Sequence, residues 1–296
     1  MRSVTDPELE PPFIVHEPAR HTVPFIFNAP HAGAVYPAAF LTASRLDALA
    51  LRRSEDAYVD GLFSGVVGLG APLMVARFPR AYLDVNREPY ELDPRMFDAR
   101  LPAFANTRSM RVAGGLGTIP RIVADGQDIY RGHLATEEAL RRIEWLYKPY
   151  HRTLRQLVLG TARSFGCAAL IDCHSMPSTS LHREDGIKAD VVLGDRYGTS
   201  CDGLLADLVE ITLRARGYSV ERNKPYAGGF ITEHYGEPAL GHHALQIEIN
   251  RGLYMDERSF ARKPSFAALA CDLTDAFGTV MGEIGDHLLP RRMAAE

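Results

Sequence analysis

Apolar and polar positions along this chain switch between a period of two and a period near 3.6, and the switches mark its predicted elements. The run TVPFIFN, residues 22–28, is short, apolar and β-prone, and it stops at the breakers Asn28-Ala29-Pro30-His31-Ala32-Gly33. A strand is therefore expected to end just before His31. Two helices are expected next. Thr42 or Ser44 would cap the first; the second opens after Ser54 with Glu55 and Asp56 in its first turn and buries Leu62, Phe63, Val66 and Val67. PLMVARF and AYLDVN read as strands that pair around Pro79-Arg80. A long helix is predicted over 136–165 with a kink at Pro149; on it Trp145, Tyr147 and Tyr150 are expected to pack, with Tyr150-His151 the pair that could approach a site. CAALIDCHS reads as a buried central strand ending at His174. ADVVLGD and YSVE add strands around a helix at 200–216, HALQIEIN adds another, and a helix closes the chain. Residues 1–20, rich in Pro and Glu, read as an N-terminal arm, and 21–296 as a single domain. The Pro- and Gly-rich stretch 88–132 has little periodicity, as functional loops often do.

Strands alternating with helices predict a three-layer α/β/α sandwich around a mostly parallel mixed sheet. Ligands bind such sheets beyond the carboxyl ends of the strands, where His31, Asn86-Arg87, His174 and Glu248 fall. Composition narrows the partners. With 46% hydrophobic and 24% charged residues the chain is of ordinary globular type, and its formal charge of −4 is interspersed, leaving no basic stripe for a nucleic acid. No apolar run approaches the roughly 18 residues of a membrane span. Cys167, Cys173, Cys201 and Cys271 lack CxxC spacing and read as free thiols, so a cytoplasmic location is expected.

His31 and His174 each follow a β-prone run into a polar loop, where they are either metal ligands or hydrogen-bonded histidines near the surface. Glu55-Asp56 could add a carboxylate ligand or only stabilise a helix dipole. Asp172 lies on the same strand face as His174 and could orient its imidazole. Glu248 interrupts the apolar strand LQIEI and needs a partner, either an arginine such as Arg251 or the proton chemistry of a general base. Arg80, Asn86 and Arg87 suit a carboxylate or an oxyanion. GGFITEHYG brings Thr232, His234 and Tyr235 to a binding loop or a tight turn. GGLG at 114–117 lacks the lysine of a phosphate loop, and neither Ser175 nor any cysteine sits in a nucleophile signature.

The order of motifs is more specific than any one of them: NAPHAG with Tyr36-Pro37, SEDAYVDGLF, LDVNREP, GTIPRIVADGQDIYRG, IDCHSMPS, YAGGFITEHYG and QIEINRGLYMDE. Together, from about residue 24 to 260, they resemble the N-formylglutamate amidohydrolase family. The resemblance implies a fold related to zinc carboxypeptidases and aspartoacylases, one zinc ion, and cleavage of the amide bond of a small N-acyl amino acid such as N-formyl-L-glutamate by a metal-activated water. It implies His31 and His174 as metal ligands with Asp56 as the acidic one, or Glu55 where this chain departs from the commoner Asp-Thr-Asp-Trp form. Glu248 is similar to the carboxylate that activates water, Arg80 to the oxyanion-stabilising arginine, and Asn86-Arg87 to the pair that binds the substrate carboxylate. Thr232 and Tyr235 are expected as further substrate contacts. The competing expectations are a relative acting on another N-acyl amino acid or small peptide, and a non-catalytic protein that binds a small carboxylate.

Overall fold

The computed structural model describes residues 7–123, 126–181 and 189–289, so the first six residues of the expected arm lie outside it. One seven-stranded sheet has the order β1-β3-β2-β4-β7-β5-β6, with β1 Phe13–His16, β2 Phe25–Ala29, β3 Leu73–Ala76, β4 Ala168–Met176, β5 Val191–Gly194, β6 Val220–Arg222 and β7 His242–Asn250. The helices are α1 Ala38–Ala43, α2 Ala48–Arg52, α3 Val59–Leu62, α4 Met110–Ala113, α5 Thr136–Arg142, α6 Lys148–Phe165, α7 Gly203–Ala215, α8 Phe230–Tyr235 and α9 Phe266–Ile284. None of the described helices is long and apolar enough to cross a membrane. Residues 13–16, inside the stretch read as an arm, form the strand at one end of the sheet order.

The chain packs as two compact units, one of residues up to 14, 30–57 and 75–154, the other of 15–29, 58–74 and 155 onward. In the second unit β2, β4 and β7 run parallel, β5 pairs antiparallel with β7, and β6 runs parallel to β5. β4 is buried along its whole length, as expected of a strand covered on both faces. Successive side chains point to opposite faces. Phe27 therefore faces one way and packs on Phe63 and on Phe277 of α9, with ring centroids 6.1 and 4.9 Å away. Asn28 faces the other way with Asp172, which it bonds, and the Gly229 N–H at the start of α8 donates to Gln246 on that same face. The result is an α/β/α sandwich. Phe277→Ala is expected to cost about 3–5 kcal/mol, the range for emptying a buried aromatic site. A urea midpoint shift worth under about 1 kcal/mol would mean that α9 collapses onto the space instead.

In the first unit three local expectations change. AYLDVN is not a strand. Residues 81–87 are buried but irregular, because Tyr82 and Leu83 N–H turn back to the Pro79 carbonyl and Asp84 N–H goes to Thr118. Thr42 and Ser44 do not cap the start of α1; Thr42 lies inside it and Ser44 at its C-terminal end. The long helix does not break at Pro149 itself: it passes through a π-helical turn, Ile143–Tyr147, and the Lys148 N–H bonds back five residues to Ile143. Proline at 149 has no N–H for the Trp145 carbonyl and its ring would crowd that group, so widening the preceding turn relieves both.

Candidate metal centre

β2 runs out at Ala29, and two residues later His31 is buried in the first unit, only 1% exposed. Gly33 holds this turn close to its neighbour, since a Cβ there would stand 2.1 Å from the Phe78 carbonyl oxygen. His31 Nε2 is 2.8 Å from Asp84 Oδ1, and its Nδ1 is 3.3 Å from Asp56 Oδ2. A carboxylate only accepts, so a neutral His31 carries its proton on Nε2 and turns the Nδ1 lone pair toward Asp56.

The sequence placed Glu55 and Asp56 in a helical first turn, and the structure corrects this. α2 ends at Arg52, and Tyr58 adopts a left-handed φ of 67° before α3 begins, so both acids sit in the turn between two short helices. The Asp56 N–H donates to the His31 carbonyl at 2.9 Å, tying the two side chains together. Glu55 accepts from the Tyr36 hydroxyl at 2.6 Å and from Arg52 Nε at 3.1 and 3.2 Å. Its carboxylate is thus engaged by a phenol and a guanidinium.

Behind His31 stands Asp84, 1% exposed, with Oδ1 also accepting from Asn86 N–H at 2.8 Å and Oδ2 from Arg80 Nε at 3.0 Å. Arg87 Nη2 lies 3.4 Å from the same Oδ2. Burial pushes the Asp84 carboxyl up, but Arg87, then His31 and Arg80, outweigh it and hold the group well below the usual carboxylate range. Burial lowers Arg87 to about 10, which leaves its guanidinium charged at neutral pH. Arg87 also donates to the Leu116 and Asn86 carbonyls.

In the second unit, the parallel register sets His174 beside Glu248 and Asp172 beside both Asn28 and Gln246. These residues line one face near the carboxyl ends of β2, β4 and β7. Asn28 Nδ2 donates to Asp172 Oδ1 and Asp172 Oδ2 is 2.8 Å from His174 Nε2. Gln246 Nε2 donates to Glu248 Oε1 at 2.9 Å, while Arg251 Nε donates to Ser175 Oγ. In α8, Thr232 is fully buried and its hydroxyl donates to the Gly229 carbonyl; Tyr235 is buried too, which pushes its phenol up.

Among the described residues His31, Asp56 and His174 form a buried group able to hold a metal ion, each offering one ligand atom, with those atoms within 4.8 Å of one another. Glu55 is not part of it. Two imidazoles and a carboxylate are a donor set that suits a divalent metal, and each imidazole has a carboxylate oxygen 2.8 Å from its Nε2.

The sequence model of N-formylglutamate amidohydrolase matches residues 23–255. The chain belongs to the N-formylglutamate amidohydrolase family. Curated N-formylglutamate deformylases of Pseudomonas aeruginosa and Pseudomonas putida are 34% and 32% identical to it, over 91% and 79% of this chain and 94% and 83% of their own. A crystal structure of N-formylglutamate amidohydrolase from Ralstonia eutropha superposes with a TM-score of 0.87 at 37% identity, covering 92% of this chain and 97% of that one.

Of the residues that complete this family member's two halves, Asp84, Asn28 and Gln246 were not singled out from the sequence. Asp84 carried a usable signal, since it stands two residues before Asn86 inside LDVNREP as Asp172 stands two before His174. Asn28 was read only as a strand breaker, and Gln246 as part of an apolar strand.

Proposed function

We propose that this chain hydrolyses N-formyl-L-glutamate to formate and L-glutamate, with zinc held by His31, Asp56 and His174. The observation that carries this reading is that buried trio in a chain of this family. Two ligands at about 2.0–2.1 Å from a tetrahedral zinc stand about 3.3–3.4 Å apart, and His31 Nδ1 and Asp56 Oδ2 have that separation. With Asp84 and Asp172 on the Nε2 atoms, both imidazoles present Nδ1. Zinc, when bound, supplies Lewis-acid charge and makes a water acidic enough to be deprotonated near neutral pH.

The remaining roles belong to the chain. Glu248 takes the proton of the attacking water and returns it to the nitrogen as the formyl C–N bond breaks. Gln246 Nε2 donates to Glu248 Oε1 and so orients the carboxylate for that transfer. Arg80 offsets the charge on the carbonyl oxygen; Asp84, through Nε, aims its guanidinium. Asn86 and Arg87 grip the α-carboxylate, with one N–H on each Arg87 Nη beyond those given to Asp84 and the Asn86 carbonyl. Tyr235 contacts substrate from α8, and Thr232 shapes that contact by closing its first turn on Gly229.

The test is metal content of the purified protein together with formate release from N-formyl-L-glutamate, before and after chelation. One zinc per chain with release that stops on chelation and returns with zinc is expected. Release that survives complete metal removal would sink the metal reading, and bound zinc without release would move the substrate to another N-acyl amino acid.

A further inference from the structure

Residues 81–87 are buried without a β-ladder, so their carbonyls need donors from elsewhere. The helical run α5–π–α6 supplies three. Arg142 Nη1 donates to the Tyr82 carbonyl at 3.1 Å, the Tyr147 hydroxyl to the Arg87 carbonyl at 2.6 Å, and His151 Nε2 to the Val85 carbonyl at 2.8 Å. A carbonyl cannot donate, which places a proton on His151 Nε2. The Tyr147 and His151 rings pack at 4.3 Å, and Tyr150 between them faces away to Phe13 and Phe78.

The π turn that relieves Pro149 also sets the spacing of these donors. Residues 142 and 147 are five apart, and on an α-helix such a pair points about 140° apart. The π turn, with its five-residue bond from Lys148 to Ile143, brings 142 and 147 onto one face, and His151 follows four residues on. One helix face thereby presents three donors to carbonyls 82, 85 and 87.

We propose that Tyr147 and His151 are positioning residues for recognition of the substrate α-carboxylate. By holding the carbonyls on either side of Asn86, they fix the direction in which Asn86 and Arg87 present their donors. This rests on the reading that those two residues grip the α-carboxylate. Neither Tyr147 nor His151 touches substrate; each acts through the backbone it holds.

The readout is the ratio of kcat/KM for N-formyl-L-glutamate to that for N-formyl-4-aminobutyrate, which lacks the α-carboxylate. Tyr147→Phe and His151→Leu are each expected to lower this ratio about ten- to hundredfold, the scale of a small misplacement of a binding group. His151→Gln keeps an N–H at the Nε2 position and is expected to restore most of it. A merely structural role would lower both substrates in proportion and leave the ratio unmoved. Arg87→Gln is the control for the underlying reading. If it collapses the ratio while Tyr147→Phe and His151→Leu do not, the positioning role is overturned and the grip stands. If Arg87→Gln leaves the ratio at the wild-type value, the grip itself is wrong and the positioning role falls with it.

Discussion

Glu248→Gln is expected to lower kcat for N-formyl-L-glutamate by about 10²- to 10⁴-fold while the protein retains its zinc, the range for losing a positioned proton-transfer group. The substitution isolates the proton. Glutamine at 248 keeps an oxygen for the Gln246 amide, so the hydrogen bond at 2.9 Å survives, and β7 keeps its register beside β4. Glu248 is not in the metal-binding trio, so metal content should match that of the parent. Steady-state kinetics paired with metal analysis decides it. A variant that keeps kcat within a few-fold would assign the proton to another group, and one that loses its metal would make Glu248 a ligand instead.

The second large effect is expected from Asp84→Asn, which leaves the trio intact and removes the charge behind it. Asp84 accepts from His31, Arg80 and the Asn86 N–H and lies beside Arg87. An asparagine keeps one acceptor oxygen, but in place of the other it turns an NH2 donor toward groups that themselves donate. Removing one partner from a buried charge network costs about 3–5 kcal/mol, and disturbing the partner of a metal-ligating imidazole typically weakens the metal about 10- to 100-fold. Chemical denaturation of the metal-free protein reads the first quantity and a competition titration with a zinc chelator the second. Undiminished zinc affinity would show that His31 is oriented by its surroundings without Asp84.

These expectations draw on different depths of information. The strand that leads to His31 and those that carry His174 and Glu248 were legible because apolar β-prone runs broken by polar residues have few other readings. β2, β4 and β7 lie where TVPFIFN, CAALIDCHS and HALQIEIN put them, and the ordered motifs were enough to suggest the family. AYLDVN misled because a buried loop has the same apolar content as a buried strand; its Tyr82 and Val85 carbonyls accept from Arg142 and His151, distant in sequence. The helix expected at Glu55 and Asp56 failed for a similar reason. An acidic pair beside a serine looks like a helix start, yet α2 has ended at Arg52 and α3 begins only after Tyr58, which takes a left-handed φ of 67°.

What the sequence determined by itself was the inventory: local propensity and period depend on neighbours along the chain, so they reveal strands, helices and the residue types set at their ends. What only the tertiary structure decided was which groups meet. It put Glu55 on Tyr36 and Arg52 and Asp56 beside His31, although the two acids are adjacent in the chain, and it made Asp84 the hub of the first unit. Side-chain direction at a turn follows from its φ and ψ, and which partner lies in that direction is decided by long-range packing.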